Sequence, residues 1–172
     1  EVMEPLKDIR VLAVTVYLAG PFCSMNLARM GAEVIKVEIP GKGDPVRGNG
    51  PFAGPKGTHT QRQTDDDIST RFLKRTQGVK SVTLDLKSLE GQESARRLMM
   101  HADVVVESFR PGEADALGIG YEDVSGQRPD LIYCSITAFG PKGPYAQYKP
   151  YDGIVAAKVG RFSVFTGQSK RP

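Results

Sequence analysis

The chain has 172 residues and a mass of 18.7 kDa, with 40% hydrophobic and 25% charged residues. This composition is that of an ordinary globular domain and excludes a disordered, collagen-like or coiled-coil chain. The net charge of +3 comes from 23 basic and 20 acidic residues, without the dense basic stripe of nucleic-acid binders. We therefore expect one folded domain that binds no nucleic acid.

Metal, disulfide and membrane signals are weak. Cys23 and Cys134 lie in apolar runs, so we expect reduced, buried side chains rather than a disulfide framework. His59 and His101 lack the spacing of metal ligands, and no metal site is expected. No apolar run approaches the roughly 18 residues that span a bilayer, and residues 1–5 show no signal-peptide pattern. The sequence predicts a cytoplasmic protein without membrane contact.

The first forty residues alternate between strand and helix. Arg10–Val16 is a continuous β-rich run and predicts a strand buried on both faces. Pro21–Met30 has helical apolar spacing, with Pro21 suited to the first helical position and Gly31 to its end. Glu33–Glu38 predicts the second strand. Strand, helix and strand within this length form one βαβ unit.

Residues 39–70 differ in character, being rich in Gly, Pro, Thr, Gln and Asp. We predict a long loop here, which is either disordered or a lid that faces a substrate. Its Asp65–Asp67 run is interpreted as solvated rather than as a cation site, because three consecutive carboxylates do not converge without a dedicated turn.

The alternation resumes after this loop. Further strands are predicted at Ser81–Leu86, Asp103–Glu107 and Leu131–Ile136. Further helices are predicted at 89–101, 113–117, 121–125 and 151–159. Strands that alternate with helices predict an α/β fold with a parallel sheet and helices on both faces.

In such a sheet, ligands bind outside the carboxyl ends of the strands. The loops after the first, second, fourth and fifth strands should therefore face one crevice: Tyr17–Pro21, Glu38–Arg47, Ser108–Gly112 and Ala138–Tyr151. Gly20 allows close approach of backbone to a ligand, and the following helix N-terminus favours an anion. Basic residues near this crevice suit a multiply phosphorylated small molecule: Lys42, Arg47, Lys74, Arg75, Lys80, Arg110, Lys142 and Lys149.

A dinucleotide site is not supported, because the first turn lacks the G-x-G-x-x-G pattern. Glu38 stands where a ribose-binding acid would lie, and pairing of Glu38 with a nearby Lys or Arg is an equally good interpretation. His101 ends a predicted helix, where a cation is favoured by the helix dipole. We find no Ser-His-Asp or Cys-His constellation. The residues alone thus predict an α/β small-molecule site with anion-binding features.

Several segments are specific in combination. They are residues 18–23 (LAGPFC), 31–38 (GAEVIKVE), Gly43-Asp44 with Arg47, 80–87 (KSVTLDLK), 102–112 (ADVVVESFRPG), 117–121 (LGIGY) and 133–136 (YCSI). In this order and spacing, from Pro5 nearly to the end, the chain resembles the N-terminal half of a family III CoA-transferase. This is the CaiB/BaiF type, which includes formyl-CoA transferase and α-methylacyl-CoA racemase.

The resemblance implies that residues 1–172 are the N-terminal, CoA-binding part of a Rossmann-like large domain. By the same resemblance, we expect the small domain and the C-terminal segment of the family to be absent from this chain. The full-length form is expected to be an interlocked homodimer, or a heteromer. Its implied reaction moves coenzyme A between carboxylic acids through an aspartyl anhydride and an aspartyl-CoA thioester. Acyl-CoA and a carboxylic acid are then the substrates, and no cofactor is permanently bound.

The resemblance also assigns site residues. Those expected at the CoA site are Tyr17, Leu18, Ala19, Gly20, Arg47, Lys80, Ser108, Phe109, Arg110 and Pro111. Lys149 and Tyr151 match a Lys-x-Tyr of formyl-CoA transferase and are expected to support catalysis. Family racemases carry a histidine before the aspartate at Asp152, and the Tyr151 found here favours a transferase.

Three features depart from the family. Its Asn-Arg-x-Lys, which helps to hold CoA, reads Thr76-Gln77-Gly78-Val79 here. The loop Gly54–Thr70 lacks the usual aromatic pattern. The family's catalytic aspartate follows a Thr-Gly matched by Thr166-Gly167, so the nucleophile is expected beyond Pro172 and this chain alone is expected to be inactive.

Two other functions remain open from the sequence. The chain could be a non-catalytic CoA-binding subunit or module that a partner chain completes. The altered stretch at residues 76–79 motivates this alternative. A third hypothesis is that the chain belongs to an α-methylacyl-CoA racemase of the same family. The sequence names neither the acyl donor nor the acceptor.

Overall fold

A computed structural model describes residues 4–149 and 151–162. Its strands are β1 (Arg10–Val14), β2 (Glu33–Glu38), β3 (Phe52–Gly54), β4 (Gly57–His59), β5 (Ile68–Ser69), β6 (Val79–Thr83), β7 (Val104–Glu107) and β8 (Ile132–Ser135). Its helices are α1 (Ala19–Arg29), α2 (Thr70–Arg75), α3 (Leu89–Met100), α4 (Glu113–Ala116), α5 (Tyr121–Ser125) and α6 (Asp152–Lys158), with a 3₁₀ helix at Pro45–Gly48.

Five strands form a parallel sheet in the order β6-β2-β1-β7-β8. Successive side chains of β1 point to opposite faces, and both faces are buried. Val11 and Ala13 join an apolar layer packed by α1, whereas Leu12 and Val14 join a second layer packed by α3 and α5. The predicted α/β fold, with a parallel sheet and helices on both faces, is confirmed.

Most predicted elements are present, with shifted ends. The strand predicted at Ser81–Leu86 is instead Val79–Thr83, because β6 pairs with β2 from Val34↔Val79 to Glu38↔Thr83. The strand predicted at Arg10–Val16 ends at Val14. Helix α1 begins at Ala19, so Pro21 is its third residue and not its first. His101 caps the C-terminus of α3, as predicted.

The long loop predicted at 39–70 is partly ordered into secondary structure. Strands β4, β3 and β5 form a small antiparallel sheet, and α2 follows it directly. Asp67 is buried, contrary to the solvated loop expected at Asp65–Asp67, and accepts hydrogen bonds from the backbone N–H groups of Gln63 and Thr64. These bonds, with that from the Thr64 hydroxyl, lower the pKa of Asp67. Local turn bonding engages both oxygens of this carboxylate.

Candidate functional site

Three loops meet at the carboxyl edge of the parallel sheet. The N–H of Val16, just after β1, donates to Ser108 Oγ after β7 at 3.3 Å. The next N–H, of Tyr17, donates to Asp44 Oδ1 in the loop after β2 at 3.2 Å. These bonds join the turn after β1 to the loops on either side of it. The predicted convergence is therefore confirmed for the loops after β1, β2 and β7.

A cleft of about 560 Å³ opens between the loops after β7 and β8, a size that suits a small-molecule ligand. A smaller cavity of about 40 Å³ adjoins it. Phe109, Arg110 and Pro111 line both spaces, and Ser108 lines the smaller one. Lys142 lines the larger cleft on the β8 side. Three of the four residues predicted to bind CoA in segment 108–111 thus form a wall of the cleft, and Ser108 lines the adjoining cavity.

Arg110 supplies an accessible cation to this cleft. Its Nε lies 3.6 Å from Glu113 Oε2, and both side chains are largely exposed. Exposed pairs of this kind are weak because water screens both charges. The guanidinium can therefore exchange this partner for a phosphate, which it binds with two parallel hydrogen bonds.

The turn after β1 presents Tyr17 and Leu18, whose exposed fractions are both 52%. Leu18 is the N-cap of α1 and gives no side-chain capping bond, and the turn lies outside the two cavities described above. Gly20, in contrast, is buried. A Cβ there would lie 2.4 Å from Thr15 Cγ2. Packing against Thr15, rather than approach of a ligand, requires glycine at this position.

Glu38, at the end of β2, is bound on all sides. Arg47 Nε and Nη2 donate to its two oxygens at 2.7 and 2.8 Å, Ser81 Oγ donates at 2.7 Å, and the Asp44 N–H donates at 2.7 Å. Burial alone would raise the pKa of Glu38, but these bonds lower it to about 2. Pairing of Glu38 with a basic residue is the arrangement that the structure shows.

Arg47 is therefore engaged within the protein. Its guanidinium carbon lies 3.7 Å from the centroid of the Phe72 ring, which adds a cation–π contact to the bonds with Glu38. Hydrogen bonding to Glu38 raises the pKa of Arg47. The arginine expected near the nucleotide thus has its main bonds to Glu38, and its role at the edge is to join the β2 loop to the strand.

Lys80 lies apart from the other expected residues. It is the second residue of β6 and pairs in register with Ile35, near the amino ends of the strands. Its Nζ lies 2.6 Å from Glu33 Oε1. Because the crevice lies at the carboxyl ends, the structure does not bring Lys80 to the site. The prediction that Lys80 lies near the crevice is therefore not supported by its position.

Lys149 and Tyr151 precede α6. Both are exposed, and Tyr151 is the N-cap of the helix. The Tyr151 N–H donates to the Lys149 carbonyl at 2.9 Å. Neither residue lines the cleft. Thr166 and Gly167 lie outside the described residues.

Sequence reasoning missed one ion pair at this edge and gave no partner for Arg75, which it had expected near the crevice. Lys36 and Asp44 are buried and their charged atoms lie 2.9 Å apart. A lysine inside the apolar run of β2 was the available signal, because a buried charge requires a partner. Arg75, directly before the stretch 76–79 that departs from the family, donates from Nη1 to the Tyr17 carbonyl at 3.1 Å. The arginine thus contacts the turn despite that departure.

The described residues hold no group of three or more His, Cys, Asp and Glu side chains placed to bind a metal ion. Within the same ranges, no helix has the length and apolarity to cross a bilayer. Cys23 and Cys134 are free and half-buried in one apolar layer, and burial raises the pKa of the Cys23 thiol.

Residues 6–172 match the family described as CoA-transferase family III. Among relatives, the human succinyl-CoA:glutarate CoA-transferase is 40% identical over 92% of this chain and 34% of its own length. The succinyl-CoA–D-citramalate CoA-transferase of Chloroflexus aurantiacus is also 40% identical, over 98% of this chain and 39% of its own length. The chain thus spans little more than a third of these relatives.

Solved structures agree with these relatives. A CaiB/BaiF family protein from Brucella suis has a TM-score of 0.80 and 39% identity, over 91% of this chain and 39% of its own. An aspartate-to-alanine mutant of a Mycobacterium tuberculosis protein has a TM-score of 0.78 and 36% identity, over 100% of this chain and 42% of its own. The chain belongs to CoA-transferase family III, the CaiB/BaiF type.

Proposed function

We propose that this chain is the N-terminal, CoA-binding part of an enzyme that transfers coenzyme A between carboxylic acids. The observation that carries the proposal is the cleft at the carboxyl edge, walled by Phe109, Arg110 and Pro111. It offers apolar surface for the pantetheine arm and, at Arg110 and Lys142, cations for phosphate; three carboxylates, Glu107, Asp115 and Glu122, also line it. The human and Chloroflexus relatives are named as CoA-transferases.

In the proposed reaction, a carboxylate of the complete enzyme supplies the nucleophile. An aspartate oxygen attacks the acyl-CoA carbonyl, the C–S bond breaks, and CoA thiolate leaves a mixed anhydride. The thiolate then attacks the aspartyl carbonyl, releasing the donor acid and forming an aspartyl-CoA thioester. The acceptor carboxylate repeats these exchanges in reverse and leaves as its CoA thioester. Protons are not consumed, because carboxylates enter and leave.

We place the aspartate beyond Pro172. The relatives are more than twice as long as this chain, and one solved neighbour was studied as an aspartate-to-alanine mutant. The role of this chain is then to bind and orient CoA, with Lys149 and Tyr151 supporting the reacting groups. We further propose that the complete enzyme is an interlocked dimer that works in the cytoplasm.

The substrate class we propose is short dicarboxylic acids and their CoA thioesters. Relatives at about 40% identity are named for succinyl-CoA with glutarate or D-citramalate. A racemase is disfavoured, because Tyr151 stands where the family's racemases have histidine. A non-catalytic CoA-binding subunit is the remaining alternative and differs in forming no covalent intermediate.

Trapping the intermediate tests the reaction. The complete enzyme, incubated with succinyl-CoA and then hydroxylamine, is expected to carry a hydroxamate on one aspartate beyond Pro172, found by peptide mass spectrometry. Binding of CoA without any adduct would instead show a non-catalytic subunit. Exchange of the α-proton of a 2-methylacyl-CoA in deuterated water would show a racemase.

Arg110→Met tests the assignment of the cleft. We expect CoA affinity, measured by calorimetry, to fall about tenfold or more, since a hydrogen bond to a charged group is lost. The matched control is Arg97→Met, an exposed arginine on α3 away from the cleft, which should bind CoA unchanged. Equal affinities in both variants would contradict a phosphate contact at Arg110.

A further inference from the structure

A buried ion pair joins the turn after β1 to the loop after β2. Lys36 Nζ lies 2.9 Å from Asp44 Oδ2, and both side chains are 2% exposed. The Lys36 ammonium also donates to the Thr15 carbonyl. Asp44 Oδ1 accepts from the N–H groups of Tyr17 at 3.2 Å and Val46 at 2.9 Å. The pair therefore contacts the backbone of both segments at once.

The backbone that it contacts is strained. Tyr17 has a φ of +64°, a conformation that is an outlier for a bulky residue and persists only where its surroundings impose it. Asp44 holds the N–H of Tyr17, and Arg75 Nη1 holds the carbonyl of Tyr17 at 3.1 Å. Lys36 fixes the chain two residues earlier, at Thr15. Both sides of the strained residue are thus fixed by charged side chains.

Stability alone does not account for this arrangement. A buried ion pair is often no more stabilising than apolar residues of similar volume, because burial removes the hydration of both charges. The pair instead fixes the backbone conformation of the turn, through its bonds at Thr15 and Tyr17. That turn exposes Tyr17 and Leu18 at the crevice, immediately before the N-terminus of α1.

We propose that Lys36 and Asp44 are positioning residues that hold the Tyr17 turn in its left-handed conformation, so that CoA meets a preformed surface. This inference rests on the proposed CoA site. Without the pair, the turn would relax toward ordinary φ values and adopt the binding conformation only part of the time. The apparent affinity then falls by the fraction of time that the competent form is populated.

The decisive variant is the double substitution Lys36→Met with Asp44→Leu in the complete enzyme. It removes both charges together, so that no lone buried charge is left to unfold the protein. We expect a folded protein with CoA affinity about tenfold lower by calorimetry, if the competent turn is populated about a tenth of the time. Hydrogen exchange should be faster at the Tyr17 amide. The matched control is Glu93→Gln, which breaks the exposed pair with Arg96 on α3.

Kinetics separate positioning from a general loss of structure. The double variant should raise KM for acyl-CoA with kcat little changed once CoA is saturating, because the bound turn is the same. On the Lys36→Met background, Asp44→Asn keeps an oxygen acceptor for the N–H groups of Tyr17 and Val46 and should retain more affinity than Asp44→Ala.

The same measurements separate failure of this inference from failure of the proposed function. If the unaltered enzyme binds no CoA, the proposed function fails and this inference fails with it. If the unaltered enzyme binds CoA and the folded double variant binds it equally well, with unchanged exchange at Tyr17, the inference alone is overturned. A tenfold weaker Kd with faster exchange at Tyr17 supports it.

Discussion

Replacing Glu38 with glutamine is expected to lower the free energy of unfolding by about 3 kcal/mol at pH 7. The carboxylate of Glu38 is 2% exposed and receives bonds from Arg47, Ser81 and the Asp44 N–H. These bonds bring its pKa from the usual 4.5 to about 2, against the opposing effect of burial. The neutral glutamine side chain cannot form an ion pair, so the Arg47 guanidinium is left without a carboxylate partner. Urea unfolding at pH 7 measures the difference.

The pH dependence gives the prediction a second readout. Because the folded pKa lies below the unfolded value, the stabilisation is fully present above pH 4.5 and is lost as the pH falls toward 2. Unfolding curves of the unaltered protein should therefore lose this contribution across that window. Glu38→Gln should show a flatter profile there, so the two proteins converge in acid.

The matched control is Glu33→Gln on the same strand. Glu33 pairs with Lys80 at 2.6 Å, but both side chains are exposed. Exposed pairs contribute little, because water solvates each partner when the other is removed. We expect a much smaller loss for this variant. An equal loss for Glu33→Gln and Glu38→Gln would contradict the importance of burial at Glu38.

Gly20→Ala is expected to destabilise the fold by about 2–3 kcal/mol, the cost of overpacking a filled interior. The added Cβ would lie 2.4 Å from Thr15 Cγ2 and 2.5 Å from Thr15 Cβ. Thr15 is buried and directly follows β1, so it cannot swing aside. The first turn of α1 must then move away from the sheet. Thermal or urea unfolding measures the loss.

Gly126→Ala is the control for this substitution. Gly126 caps the C-terminus of α5 with a φ of −63°, and a Cβ there would meet no atom within 4 Å. Its stability should change by no more than about 0.5 kcal/mol. In the complete enzyme, Gly20→Ala should also weaken CoA binding if the Tyr17 turn contacts the ligand. Unchanged stability of Gly20→Ala would show that the sheet and α1 have room to separate at this point.

The sequence by itself determined the parallel sheet and the edge at which its loops meet. Val104–Glu107 is a short apolar run, and Glu33–Glu38 carries three β-branched residues between its charged ones, so local sequence predicts both strands. The helices 89–100 and 121–125 follow likewise from local spacing and turn residues. Because parallel strands place their carboxyl ends together, the position of the crevice followed without any knowledge of contacts.

The small sheet of β3, β4 and β5 was not predictable in the same way. Its strands have two or three residues, too few to show a period. The turn that precedes β5 is fixed instead by the buried carboxylate of Asp67. Local composition therefore indicated a loop, and only the bonding of one side chain with its neighbours shows why the segment is ordered.

Only the tertiary structure decided which charges meet. Sequence patterns indicate that Glu38, Asp44 and Arg47 lie near one edge, but they give neither the pairs nor the part that Lys36 takes. The fold pairs Lys36 with Asp44 and Glu38 with Arg47, and it leaves Lys80 near the opposite edge with Glu33. The physical reason is that each buried charge needs a partner at hydrogen-bond distance, and that distance depends on how separate loops pack.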